Sequence, residues 1–136
     1  MKLGCPCNNG QPSDYIAMRF VIIGETPSKK NQRINTRSGR SFPSKRYTEW
    51  HAYASAQIMA QKKNPSIIDA PCKIKIHFVH GDMRKRDADN GTNSIFDLLK
   101  DCGVIMDDRW EIVQKHEVSN SYEKKNPHCI IDIEIL

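Results

Sequence analysis

Asp87-Ala88-Asp89-Asn90 and Asp107-Asp108 hold the side chains best suited to chemistry in this 136-residue chain. If the first segment is extended, Asp87 and Asp89 point to the same side, because side chains alternate along extended backbone. They would then lie about 6 to 7 Å apart at strand rise. Carboxylates so placed repel each other unless a cation or a proton intervenes. A hard divalent ion takes oxygen ligands of this kind, and Mg²⁺ is typically held by one or two carboxylates together with waters and substrate phosphate. The chemistry favoured is hydrolysis by a metal-activated water. No Gly-x-Ser-x-Gly elbow, Walker loop or dinucleotide fingerprint is present. An EF-hand counted from Asp87 fails, since Thr92 and Leu98 stand where Gly and Glu are needed.

A helix that began at Asp89 would instead align Asp89, Asn93, Asp97 and Asp101 in one stripe opposite Ile95, Leu98, Leu99 and Cys102. Such a stripe alone would be a solvated face with Asp89 or Asn90 as a cap. Three features argue for more than that. Seven of the ten aspartates fall between Asp82 and Asp108 with no glutamate among them, Asp107 and Asp108 are adjacent, and Arg84-Lys85-Arg86 lies immediately upstream. A return of the chain at Gly103 would bring Asp107 and Asp108 back beside Asp87 and Asp89 and complete a pocket of three or four carboxylates.

Several elements must position these groups. Tyr15 to Gly24 is rich in β-formers and ends at glycine, which predicts a strand. Ser44 is an N-cap for a helix over 45–62, with Tyr47, Trp50, Ala54 and Ile58 at helical spacing. Residues 72–80 alternate polar and apolar side chains, the pattern of a strand with one buried face. A second helix is predicted over 90–102, with Gly103 at its C-terminal end. Trp110 to Ser119 and His128 to Leu136 then close the sequence as strands. The fold class is α/β (α+β), a mixed β-sheet with two helices packed on it. Residues 1–13 read as a flexible leader, and 14–136 as one domain.

The net charge of +5 conceals two opposed clusters. Lys29, Lys30, Arg33, Arg37, Arg40, Lys45 and Arg46 form a run without an acid, broken by Gly39 and Pro43, which predicts a basic loop suited to phosphates. The five cysteines offer one close pair, Cys5-Pro6-Cys7, too few for a four-ligand zinc site, so free thiols are expected. His77 and His80 fall on opposite sides of a strand, a poor metal pair better explained as satisfied or surface histidines. No apolar run approaches the ~20 residues that span a bilayer. The opening residues also lack a secretory h-region. A cytoplasmic location without membrane contact is therefore expected.

Taken together, Arg84-Lys85-Arg86-Asp87-Ala88-Asp89-Asn90, a helix bearing Asp97, and Val104-Ile105-Met106-Asp107-Asp108 resemble the RusA family of Holliday junction resolvases, without a gap from Asp87 to Asp108. Thr26-Pro27-Ser28-Lys29-Lys30-Asn31 also looks like the family's early loop. The resemblance implies a small homodimeric endonuclease that cuts two strands of a four-way DNA junction with Mg²⁺ or Mn²⁺. By position, Asp87, Asp89 and Asp108 match the family's metal-binding and catalytic aspartates, with Asp107 beside them and Asn90, Asn93 and Asp97 in support. Lys29, Lys30, Arg33, Arg37, Arg40, Arg84, Lys85 and Arg86 would contact DNA. One departure stands out: the family commonly has a lysine where this chain has Asn93, and Lys30, Lys85 or Lys100 are the substitutes available. Two other readings are a non-catalytic DNA-binding protein with a degraded site and a metal-dependent phosphohydrolase of small phosphoesters.

Overall fold

A computed structural model describes residues 18–28, 33–35, 37, 39, 41–63 and 65–136. The expected leader, the first residues of the predicted opening strand, and Lys29, Lys30 and Arg40 lie outside the described residues. The element order is β1 (Met18–Ile23), β2 (Arg33–Asn35), β3 (Ser41–Pro43), α1 (Lys45–Gln61), β4 (Cys72–His80), α2 (Thr92–Asp101), β5 (Val113–Tyr122) and β6 (His128–Ile135). Four strands form a mixed sheet in the order β1-β6-β4-β5, with β4 and β5 parallel and the other pairs antiparallel. The α+β architecture is as the sequence predicts. The basic segment is not a plain loop, because β2 and β3 pair within it as a short antiparallel hairpin.

Each helix buries the apolar stripe its spacing lays down. Tyr47, Trp50, Ala54 and Ile58 of α1 and Ile95, Leu98 and Leu99 of α2 meet Phe20, Ile22, Ile74, Ile76, Phe78, Ile131 and Ile133 of the sheet in one core. Ser44 caps α1, its hydroxyl accepting from the Tyr47 N–H at 3.2 Å. Gln57 and Gln61 of α1 close the outer side of β1, accepting from the Ile23 and Val21 N–H groups at 2.8 Å each. That satisfies backbone donors on an edge strand that would otherwise be open to a foreign strand.

The parallel pairing of β4 with β5 forces a crossover, and α2 with its two flanking turns is that crossover. Cys72 and Cys129 are buried free thiols, and Cys102 is half-buried. Burial pushes the Cys129 thiol up to about 12. No helix among the described residues is long and apolar enough to cross a membrane.

Candidate active site

The turn that carries Asp87 and Asp89 is built from its own backbone. The Asn90 N–H donates to the Asp87 carbonyl at 3.0 Å, and the Thr92 N–H to the Asp89 carbonyl at 3.1 Å. α2 therefore starts at Thr92 with Gly91 as its N-cap, and Asp89 and Asn90 do not act as caps. Glycine is required at that point, since its φ is +91° and a Cβ would lie 3.0 Å from the Thr26 Cγ2. Ser94, fully buried on the first turn of α2, donates to the Pro27 carbonyl at 2.6 Å and ties the segment after β1 to the helix. Both carboxylates of this turn are exposed, and among the described residues neither has an ion-pair partner.

The far end of α2 is closed by a Schellman motif, in which the Val104 N–H donates to the Leu99 carbonyl and the Gly103 N–H to the Lys100 carbonyl. The chain then runs back along residue 68: the Ile68 N–H donates to the Val104 carbonyl, and the Met106 N–H to the Ile68 carbonyl. This delivers Asp107 and Asp108 to the last turn of the helix. There the Lys100 ammonium lies 3.6 Å from Asp108, 3.8 Å from Asp107 and 4.0 Å from Asp97. Asp108 foremost, then Asp97 and Asp107, holds the Lys100 ammonium above its usual range against the opposing effect of burial. Asp107 is held below the carboxylate range, chiefly because it accepts the Asp108 N–H at 2.8 Å, with Lys100 and Arg109 adding to the effect.

The other acids of the cluster are structural by their contacts. Asp101 meets the His51 Nε2 at 2.9 Å and joins the two helices. Asp97 lies beside Tyr47, whose hydroxyl is pushed up to about 12 by burial first and by Asp97 and Asp101 after it. Asp82 accepts from the Arg84 N–H at 3.0 Å and from Arg86 at 2.8 Å, and these bonds hold it below the usual range. The structure thus gathers Asp97, Asp107 and Asp108 about Lys100 and sets Asp87 and Asp89 on the turn at the other end of α2. Asp107 and Asp108 share Lys100, which does not pair with Asp87 or Asp89, and among the described residues no group of three or more His, Cys, Asp or Glu side chains is arranged as a metal cage.

Both sets are nonetheless composed of oxygen donors, the kind a hard divalent ion takes. Asn93 is exposed on α2, and Lys100, seven residues on, shares nearly its face.

Around the first turn lies a cleft of about 370 Å³ whose walls include His80, Arg84, Arg86, Asp87, Asn120 and Tyr122. A neighbouring cleft of about 300 Å³ is lined by Glu25, Ser28, Arg46, Arg84, Lys85 and Asp87 among others. Asp87 stands at the edge of both. Arg84, Lys85 and Arg37 are exposed, Arg33 lies on β2, and Arg86 is turned inward between Asp82 and Glu25 with its side chain 13% exposed.

The model of the family described as Endodeoxyribonuclease RusA matches residues 24–134. The chain belongs to the RusA endodeoxyribonuclease family. A curated RusA relative, the crossover junction endodeoxyribonuclease RusA of Aquifex aeolicus (strain VF5), is 33% identical over 105 residues, which cover 77% of this chain and 81% of that protein. The family match begins just after β1 and takes in both turns flanking α2, all of β4 and β5, and β6 except its last residue.

Three residues gathered at the Asp87–Asp89 turn of this RusA-family chain escape sequence reasoning. Glu25, His80 and Asn120 bond to one another and to the Asp87–Asp89 turn, yet no spacing links them. The only local hint was the demand that His80 find hydrogen-bond partners. His77 finds its own in the Ser119 and Ser121 hydroxyls, at 2.6 and 2.8 Å.

Proposed function

We propose that this chain resolves four-way DNA junctions by paired, Mg²⁺-dependent phosphodiester hydrolysis, acting as a cytoplasmic homodimer in recombination and repair. The observation that carries the reading is that the family match runs through Asp87, Asp89, Asp107 and Asp108 together. The similar Aquifex aeolicus protein is named for crossover junctions. Asp87, Asp89 and Asp108 would hold Mg²⁺, or Mn²⁺ in its place, with Asp107 alongside. When bound, the ion supplies a more acidic water and neutralises charge at the scissile phosphate.

The chain's own residues do the rest. Asp107, by accepting the Asp108 N–H, sets the direction of its neighbour. Lys100 lies about 10 Å along α2 from the Asn93 position, and its side chain leans back toward the helix N-terminus. Its ammonium, beside Asp108, takes the part of the family lysine and offsets charge that develops on the phosphate. Arg84, Lys85 and Arg37, with Lys29, Lys30, Arg33 and Arg40, supply sequence-independent, salt-sensitive contacts to the DNA backbone. Arg86, engaged by Asp82 and Glu25, braces the loop from inside. Two opposed cuts need two such sites, which two copies of the chain provide.

Cleavage of a synthetic four-way junction with Mg²⁺ tests this. Wild type is expected to make paired cuts, and Asp87→Asn to slow them about 1,000-fold, the ~4 kcal/mol that metal-assisted charge stabilisation supplies, while junction binding in Ca²⁺ persists. A wild type that binds but never cuts, with affinity and metal binding unaltered in Asp87→Asn, would identify a non-catalytic DNA binder. Loss of all DNA affinity at about 100 mM salt would point to small phosphoesters instead.

A further inference from the structure

A chain of hydrogen bonds outside the acidic motif runs from the end of β1, across β4 and β5, to the Asp87–Asp89 turn. The Glu25 Oε2 lies 2.7 Å from His80 Nδ1, His80 Nε2 lies 2.7 Å from Asn120 Oδ1, and Asn120 Nδ2 donates to the Ala88 carbonyl at 2.8 Å. The end of the chain is the informative part. Of the three carbonyls in the turn, those of Asp87 and Asp89 are taken by the turn's own N–H groups, and that of Ala88 is taken by Asn120. Asn120 therefore fixes the peptide plane between the two aspartates from a different element of the fold.

Donor and acceptor accounting shows how the chain is held. The Ala88 carbonyl only accepts, so the Asn120 amide must present its NH₂ there and its oxygen to His80. His80 Nε2 must then donate. The Glu25–His80 contact is completed by one proton between Oε2 and Nδ1. The groups facing this ring are Glu25 after β1, Asn120 of β5, and the Phe78 ring stacked 6.2 Å away on β4. Arg86 shares the Glu25 oxygen at 3.4 Å and is itself paired with Asp82, and Asp87 and Tyr122 line the same cleft. Cys129 lies near Glu25 as a neutral thiol.

We infer that His80 and Asn120 are positioning residues: they hold the Ala88 carbonyl, and through it the Asp87 and Asp89 carboxylates, in the orientation the reaction needs. The inference rests on the junction-cutting reading above, and its test has one arm that does not. Asn120 is exposed, so replacing it leaves the core intact. Asn120→Ala removes the donor toward the Ala88 carbonyl, and the acceptor toward His80, without adding charge beside the two aspartates. In the full-length protein without metal or DNA, hydrogen exchange at the Asn90 and Thr92 amides is expected to lose protection about tenfold, the share of one hydrogen bond, with the Ile74 and Ile76 amides of β4 unchanged. Junction cleavage by the same variant should show kcat reduced about tenfold or more with junction affinity unaltered. Unchanged protection at Asn90 and Thr92, or cleavage at the wild-type rate, overturns the inference. Should wild type cut no junction, the reading of function fails, and the exchange comparison still decides whether Asn120 holds the turn.

Discussion

Asp87 and Asp89 stand before α2 without an ion-pair partner among the described residues, whereas Asp107 and Asp108, after it, share the Lys100 ammonium. The two regions also differ in how they are held. The first leans on side chains from distant elements, Asn120 on Ala88 and Glu25 on Arg86. The second is fixed by main chain, through the Schellman motif and the bonds to Ile68. An uncompensated pair of carboxylates gains most from an added cation, since each charge pair at 4 Å contributes about 1 kcal/mol in water and about 4 at the effective dielectric of a protein surface. A pair already facing an ammonium gains less. On the proposed reading, Asp87 and Asp89 are the ligands that gain most from the ion, and Asp108, shared with Lys100, completes the set at a smaller gain.

The comparison breaks most visibly at Lys100. Lys100→Ala should slow junction cleavage about 100-fold, the scale of one lost electrostatic donor, with Lys100→Arg recovering part of it. Its melting temperature should stay close to wild type, because a half-exposed ion pair contributes about 0 to 1 kcal/mol. A Lys100→Ala protein that cuts at the wild-type rate would remove Lys100 from the reaction.

A smaller effect separates the two turn glycines. Gly91→Ala combines a left-handed φ with the 3.0 Å contact to Thr26 and should destabilise the protein by about 1–3 kcal/mol. At Gly103 the φ is +69° and the nearest atom to a Cβ is the flexible end of Lys62 at 3.6 Å, so alanine should cost only about 1 kcal/mol. Urea unfolding of both variants gives the order, and equal costs would show that the approach of Thr26 to the first turn is unimportant.

The smallest effect is in pH. Asp107 has its folded value depressed, so what it contributes is present above its ordinary value and lost as pH falls through the folded one. Lys100 has its folded value raised, so its contribution is complete below its ordinary value and lost as pH rises through the folded one. Stability from this cluster should therefore be flat between about pH 5 and pH 9 and decline slightly on both sides. Melting curves of wild type and Lys100→Ala across that range check it, and identical profiles would mean the ion pairs contribute nothing.

Much of the scaffold was legible because its signals are local. Alternation over 72–80 predicts β4 to the residue, Ser44 marks the start of α1, and Gly103 the end of α2. The hairpin β2–β3 was hidden because strands of three residues are too short to show a period. The start of α2 shifts from 90 to Thr92 because the Asp87–Asp89 segment folds into turns, whose bonds compete with helix for the same backbone groups. Val113 begins β5 later than Trp110 for the same reason, since the Arg109 carbonyl accepts from both the Ile112 and Val113 N–H groups.

By itself, then, the sequence determined the kinds of element, the acidic and basic residues available, and the family to which their spacing belongs. Those follow from side-chain chemistry and from periods of a few residues. Only the tertiary structure decided which acids are paired among the described residues, that Lys100 stands beside Asp108, and that Glu25, His80 and Asn120 meet at the Asp87–Asp89 turn. Such meetings join residues 40 and 55 positions apart, and they arise from how β4 and β5 are laid side by side and from where the chain leaves β1, which no local pattern records.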